Sequence, residues 1–127
     1  MPDRKEQGPM AYLDGYVIPV PEAEKDAYRA LADDAAALFL RFGAVRVLEG
    51  WGEDVPHGTA TDFYRATLAE AGEAVVFAWV LWPDKATRDA GWGKLMEAPE
   101  MQGRTMPFDG KRMFWGGFEP IVDRGDG

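Results

Sequence analysis

The chain has 127 residues, 46% of them hydrophobic, with 22 acidic against 14 basic side chains and a formal charge of −8. That length sets one domain with a core of its own, and the hydrophobic share excludes a disordered chain. Cysteine is absent, which excludes disulfides, thiolate catalysis and cysteine-ligated metal clusters, while the acidity ranks nucleic acid and anionic membrane surfaces low as partners.

Residues 1–9 are polar, lack the apolar core of a signal peptide and end in Gly8-Pro9, so they read as a flexible leader before a single domain over 10–127. Tyr12 to Val20 alternates large and small side chains and runs into Pro19 and Pro21, which predicts a first strand. Pro21 suits a helix start, acidic Glu22, Glu24 and Asp26 favour the positive end of the dipole, and Tyr28, Leu31, Ala35, Leu38, Phe39 and Phe42 form one apolar stripe. Gly43 is placed to end that helix. Ala44 to Trp51 predicts a second strand, a polar Gly/Pro-rich connection follows, and Asp62 to Ala69 predicts a short helix capped by Thr61 or Asp62.

Glu73 to Trp82 predicts a third strand whose two faces are both apolar. Its core run, Ala74 to Trp82, is too short to span a bilayer as a helix, and a cytoplasmic protein is expected. Asp84 is placed to cap a further helix to about Glu97, with Ala86, Ala90, Leu95 and Met96 as core contacts. Gly91 and Gly93 would weaken it unless they permit close packing. Lys111 to Phe118 predicts the last strand, with Gly116-Gly117 marking a bulge or a close approach. The order is β-α-β-β-α-β, a ferredoxin-like α+β arrangement: a four-stranded antiparallel sheet with two helices on one face. Two helices cover one face only, yet the third strand is apolar on both. A second copy packing sheet against sheet answers this and predicts a homodimer, a dimeric α/β barrel.

The segments YLDGYVIPVP at 12–21, GWGEDVPHGTATDF at 50–63, VVFAWVLWPDKATRDAG at 75–91 and MPFDGKRMFWGGFEPIVD at 106–123 resemble the YbaA-like family of uncharacterised bacterial proteins. The resemblance runs in order from residue 10 to 123 and implies the dimeric α/β-barrel superfamily, whose members include cofactor-free monooxygenases, haem-dependent enzymes and isomerase-like proteins acting on small organic molecules. It carries over no catalytic residues.

His57 is the sole histidine, and Glu53, Asp54 and Asp62 are the carboxylates placed to orient it as a proton acceptor. A solvated loop histidine beside Gly58 is the plainer reading. No metal-ligand spacing is present, and neither metal nor cofactor is expected. Arg112, expected in the last strand with Phe114 on its face, is the candidate anchor for an anionic group, against a salt bridge to Asp109, Glu49 or Asp14. Trp51 and Trp82, near strand ends, and Phe114 are candidate aromatic walls, and Trp79 is expected in the core or a dimer interface. The functional expectation is a small-molecule enzyme or sensor for a flat organic ligand, with a non-catalytic dimer as the alternative and RNA association last.

Overall fold

The computed structural model describes residues 11–125, so the leader predicted over 1–9 lies outside the described residues. Strand β1 (Tyr12–Pro21) passes through a 3-10 turn into helix α1 (Lys25–Arg41), then strand β2 (Arg46–Trp51) and the short helix α2 (Phe63–Thr67) follow. Strand β3 (Glu73–Trp82), helix α3 (Lys85–Glu97) and strand β4 (Phe114–Phe118) complete the order. The sheet runs β2-β3-β1-β4 with every neighbouring pair antiparallel. This is the predicted β-α-β-β-α-β chain, with α2 inserted between the second and third strands.

Register sorts the side chains. Tyr12, Asp14, Tyr16, Ile18 and Val20 stand opposite Trp82, Val80, Ala78, Val76 and Ala74, and this face carries the core with Tyr28, Leu38 and Phe39 of α1 and Leu95 of α3. The other face carries Leu13, Val17, Leu48, Phe77, Trp79, Leu81, Phe114 and Phe118. Phe63 of α2 meets Phe77 there edge-on at 6.2 Å between ring centroids. Among the described residues, nothing beyond α2 covers that face: Leu48, Phe77, Phe114 and Phe118 are each about half exposed, at 45%, 51%, 44% and 56%.

Local chemistry explains the element ends. Asp62 and Asp84, both in extended backbone, accept from the Arg65 and Thr87 amides and cap α2 and α3. Gly43 at φ +114° turns the chain out of α1, where a Cβ would also lie 2.5 Å from the Thr87 methyl.

Two expectations are corrected. The last strand begins at Phe114, because Asp109 accepts from the Lys111 amide and folds Gly110–Arg112 into a 3-10 turn. Ala86, Ala90 and Met96 are exposed on α3, whose buried residues are Gly91 and Leu95, because Trp92 rather than Met96 turns toward Phe39. Gly91 earns its place by contact: a Cβ there would stand 2.5 Å from the Trp82 ring, whereas one at Gly93 would meet open space.

Candidate functional site

Period-two alternation in β1 and β2 places a carboxylate on each strand's otherwise apolar, helix-side face: Asp14 between Tyr12 and Tyr16, and Glu49 between Val47 and Trp51. A carboxylate facing a core must be met by donors. Asp14, 1% exposed, is met by the Trp82 and Trp92 indole N–H groups at 2.9 and 2.8 Å and by the Arg88 guanidinium at 2.8–3.1 Å. Arg88 also lies 5.3 Å from the Tyr12 ring centroid and donates to Asp89. Gly117 leaves room for this cluster, since a Cβ there would fall 2.5 Å from the Tyr12 hydroxyl and 2.8 Å from Arg88. The close approach expected at Gly116-Gly117 is therefore real, and the β1–β4 register runs through it without a bulge.

Glu49 is met differently. The Tyr16 hydroxyl donates to its Oε2 at 2.9 Å and the Tyr28 hydroxyl donates to its Oε1. Burial first, and then the Glu49 charge, push both phenols well above their ordinary pKa. Both therefore stay protonated at neutral pH and act as donors. Each carboxylate oxygen has a further lone pair to spare. A cavity of about 310 Å³ opens beside this cluster, lined by Lys25, Tyr28, Arg29, Glu49, Trp51 and Val76 among others. Lys25 Nζ stands 5.4 Å from the Trp51 ring centroid.

Two further cavities lie elsewhere among the described residues. One of about 460 Å³ lies against Arg88, Asp89, Trp92, Met113 and Trp115. The other, of about 300 Å³, lies on the open sheet face between Leu48, Asp54, Phe63, Phe77 and Trp79.

The residues nominated from sequence do not converge. The His57 side chain is 78% exposed, stacks on Tyr64 at 4.5 Å, and keeps its Nδ1 3.7 Å from Asp62. Asp62 is occupied as the α2 cap, accepting from the amides of Arg65 and Gly58, and these bonds, the Arg65 one foremost, hold its carboxyl below the usual range. Asp54 lines the open-face cavity, which His57 does not. Arg112 is claimed by Glu73 through bonds of 2.6 and 2.8 Å, by Asp109 at 3.1 Å and by the Leu68 carbonyl. Its guanidinium ties three segments together and lines none of these three cavities, so the salt-bridge reading replaces the anchor reading.

Trp82 is fully buried with its N–H on Asp14, a core position and not a pocket wall. Phe114 is exposed on the open sheet face. Trp79 is half-buried on that same face, with the Arg46 guanidinium 6.0 Å from its ring centroid. Only Trp51 lies where a cavity wall was expected, at the edge strand between two cavities. Sequence reasoning passed over Asp14 and Glu49 as more than salt-bridge partners. The signal was their phase: each carboxylate falls in step with an apolar face.

The fold and its clefts define a small α+β protein with a polar cluster beneath the helices and an uncovered sheet face. Residues 11–110 match the family described as "Protein of unknown function (DUF1428)", and the chain belongs to that family. It is 53% identical over 116 residues to the "Uncharacterized protein YbaA" of Escherichia coli (strain K12), which covers 90% of this chain and 99% of that protein. The proteins of the same name from Escherichia coli O157:H7 and Shigella flexneri match at the same 53% identity and coverage. The family read from the four sequence segments is thereby shown. Among the described residues, no helix is long and apolar enough to cross a membrane.

Proposed function

We propose that the protein binds a small organic molecule in the cleft between α1 and β2 and moves a proton on it, an isomerase-like chemistry with Glu49 as proton acceptor. The observation that carries this is the Glu49 carboxylate, set on an otherwise apolar strand face, holding two phenol donors and lining a cavity. Perturbed titrating groups gathered at a cleft are a mark of functional sites. The phenols are pinned as donors by burial, and Glu49 is the carboxylate that lines the cavity. Tyr16 positions the carboxylate, and Tyr28, which also lines the cavity, is within reach of a bound molecule.

Native mass spectrometry of protein from its source organism identifies a retained molecule, and deuterium incorporation into that molecule in heavy water reads the proton transfer. The expected result is incorporation with the wild type and none with Glu49→Gln. A retained molecule that stays undeuterated with the wild type would leave a binding protein without catalysis.

The open sheet face supports a second element of the proposal, a homodimer. Half-exposed Leu48, Phe77, Phe114 and Phe118 stand together on one sheet face, an arrangement that marks interaction surfaces rather than scattered exposure.

A further inference from the structure

The three cavities differ in charge. The open-face cavity is lined by Glu53 and Asp54 with no cation. In the largest, Arg88 is already met by Asp14 and Asp89. The α1–β2 cleft holds Lys25 and Arg29 against the single carboxylate of Glu49. That excess of positive charge stands in a chain of net charge −8, where Arg41, Arg65, Lys85, Arg104 and Arg112 each pair with a carboxylate. Arg46, Lys94 and Lys111, without an ion pair among the described residues, line none of the three cavities. Among the described residues, neither Lys25 nor Arg29 has a carboxylate within ion-pair reach, although Glu22, Glu24 and Asp26 are close in sequence.

Their position sharpens the point. Lys25 opens α1 and Arg29 follows one turn later, so like charges sit at i and i+4 on one helix. Lys25, in the first turn, also opposes the helix dipole, whereas Arg29 lies beyond that turn. Both terms are unfavourable in the empty protein, and an anion entering the cleft reverses both. Trp51 adds a flat aromatic wall, and Lys25 Nζ already stands 5.4 Å from its ring centroid. That ammonium already lies over the indole face, so a ligand ring laid on Trp51 would displace it toward the ring's own anionic group. The cavity, at about 310 Å³, is near the lower end of ligand pockets, which run from about 300 to 1,000 Å³. That size fits one ring and its substituent.

We infer that the occupant of the α1–β2 cleft is a small aromatic carboxylate, its ring against Trp51 and its carboxylate held by Lys25 and Arg29; this rests on the proposal that the ligand site lies in that cleft. Benzoate is the probe and benzamide its neutral counterpart, each titrated into the wild-type protein with the indole N–H resonances followed by NMR. Benzoate is expected to shift the Trp51 indole saturably, and benzamide to bind at least about tenfold more weakly. The Lys25→Gln/Arg29→Gln double variant alters two exposed side chains and should fold, while losing about tenfold or more in benzoate affinity.

No saturable shift with benzoate, equal binding of benzamide, or unchanged affinity in the double variant would each overturn the inference. Deuterium exchange separates this from the proton-transfer reading. Saturable benzoate binding at Trp51, with no Glu49-dependent exchange on the retained molecule, leaves the ligand class standing and removes the chemistry. Benzoate shifting the Trp115 indole and not that of Trp51 moves the site and sinks both.

Discussion

At the residue scale, two glycines in one helix have opposite roles. Gly91 is buried under the Trp82 ring, where an added methyl group would stand at 2.5 Å. Gly91→Ala should therefore destabilise by about 1–3 kcal/mol, the usual cost of overpacking. Gly93→Ala meets open space and should stabilise by about 0.8–1.0 kcal/mol through helix propensity. Urea denaturation midpoints of the pair check both signs in one experiment. The same region holds the most committed carboxylate. Asp14→Ala would leave two indole N–H groups and the Arg88 guanidinium facing an apolar void, and should cost about 3–5 kcal/mol. Tyr16 and Tyr28 give a distinct signature in alkali. Their folded pKa values are raised, mainly by burial, so the stability they confer is complete below the unfolded phenol value of about 10 and falls as pH rises above it. The Tyr16→Phe/Tyr28→Phe variant should flatten that alkaline decline in a plot of denaturation midpoint against pH.

At the scale of elements, Arg112 acts as a tie between the turn before β4, the start of β3 and the loop after α2. Its hydrogen bonds are the main cause holding the Glu73 carboxyl below its ordinary pKa. A lowered folded value means stability present above the unfolded carboxylate pKa of about 4.3 and lost as pH falls through the folded one. Glu73→Gln should therefore be less stable than the wild type at neutral pH, with the gap closing below about pH 4. An undiminished gap in acid denaturation would mean that the ion pair is not what Glu73 contributes. The elements themselves were legible because each had a local cause: the α1 stripe, the Asp62 and Asp84 caps, the doubly apolar β3. The Arg112 tie was legible only in its Asp109 partner, since nothing in spacing brings Glu73 beside a residue 39 positions away. The Glu49 cluster was hidden for the same reason. Its partners come from β1 and from α1, and Tyr28 reads in sequence as one more member of an apolar stripe.

At the scale of the whole molecule, the conflict first visible in β3 persists in three dimensions. Val76, Ala78, Val80 and Trp82 are buried under the helices, while Phe77 on the opposite face is 51% exposed and Trp79 only half-covered. Trp79 is thus no core residue of the lone protomer, and its burial depends on what covers the sheet. With a second copy packed face to face, light scattering should give twice the protomer mass of 14.1 kDa at micromolar concentration. Phe77→Glu, at an exposed position, should yield a folded monomer with an unchanged far-ultraviolet circular dichroism spectrum. Wild-type stability should rise with protein concentration, as mass action requires of a dimer, and the Phe77→Glu protein should lose that dependence. Trp79→Ala should then weaken association more than protomer folding. A wild type that stays at protomer mass with a concentration-independent midpoint would show that the apolar face is tolerated in solvent, and would leave Phe77, Phe114 and Phe118 without a partner surface.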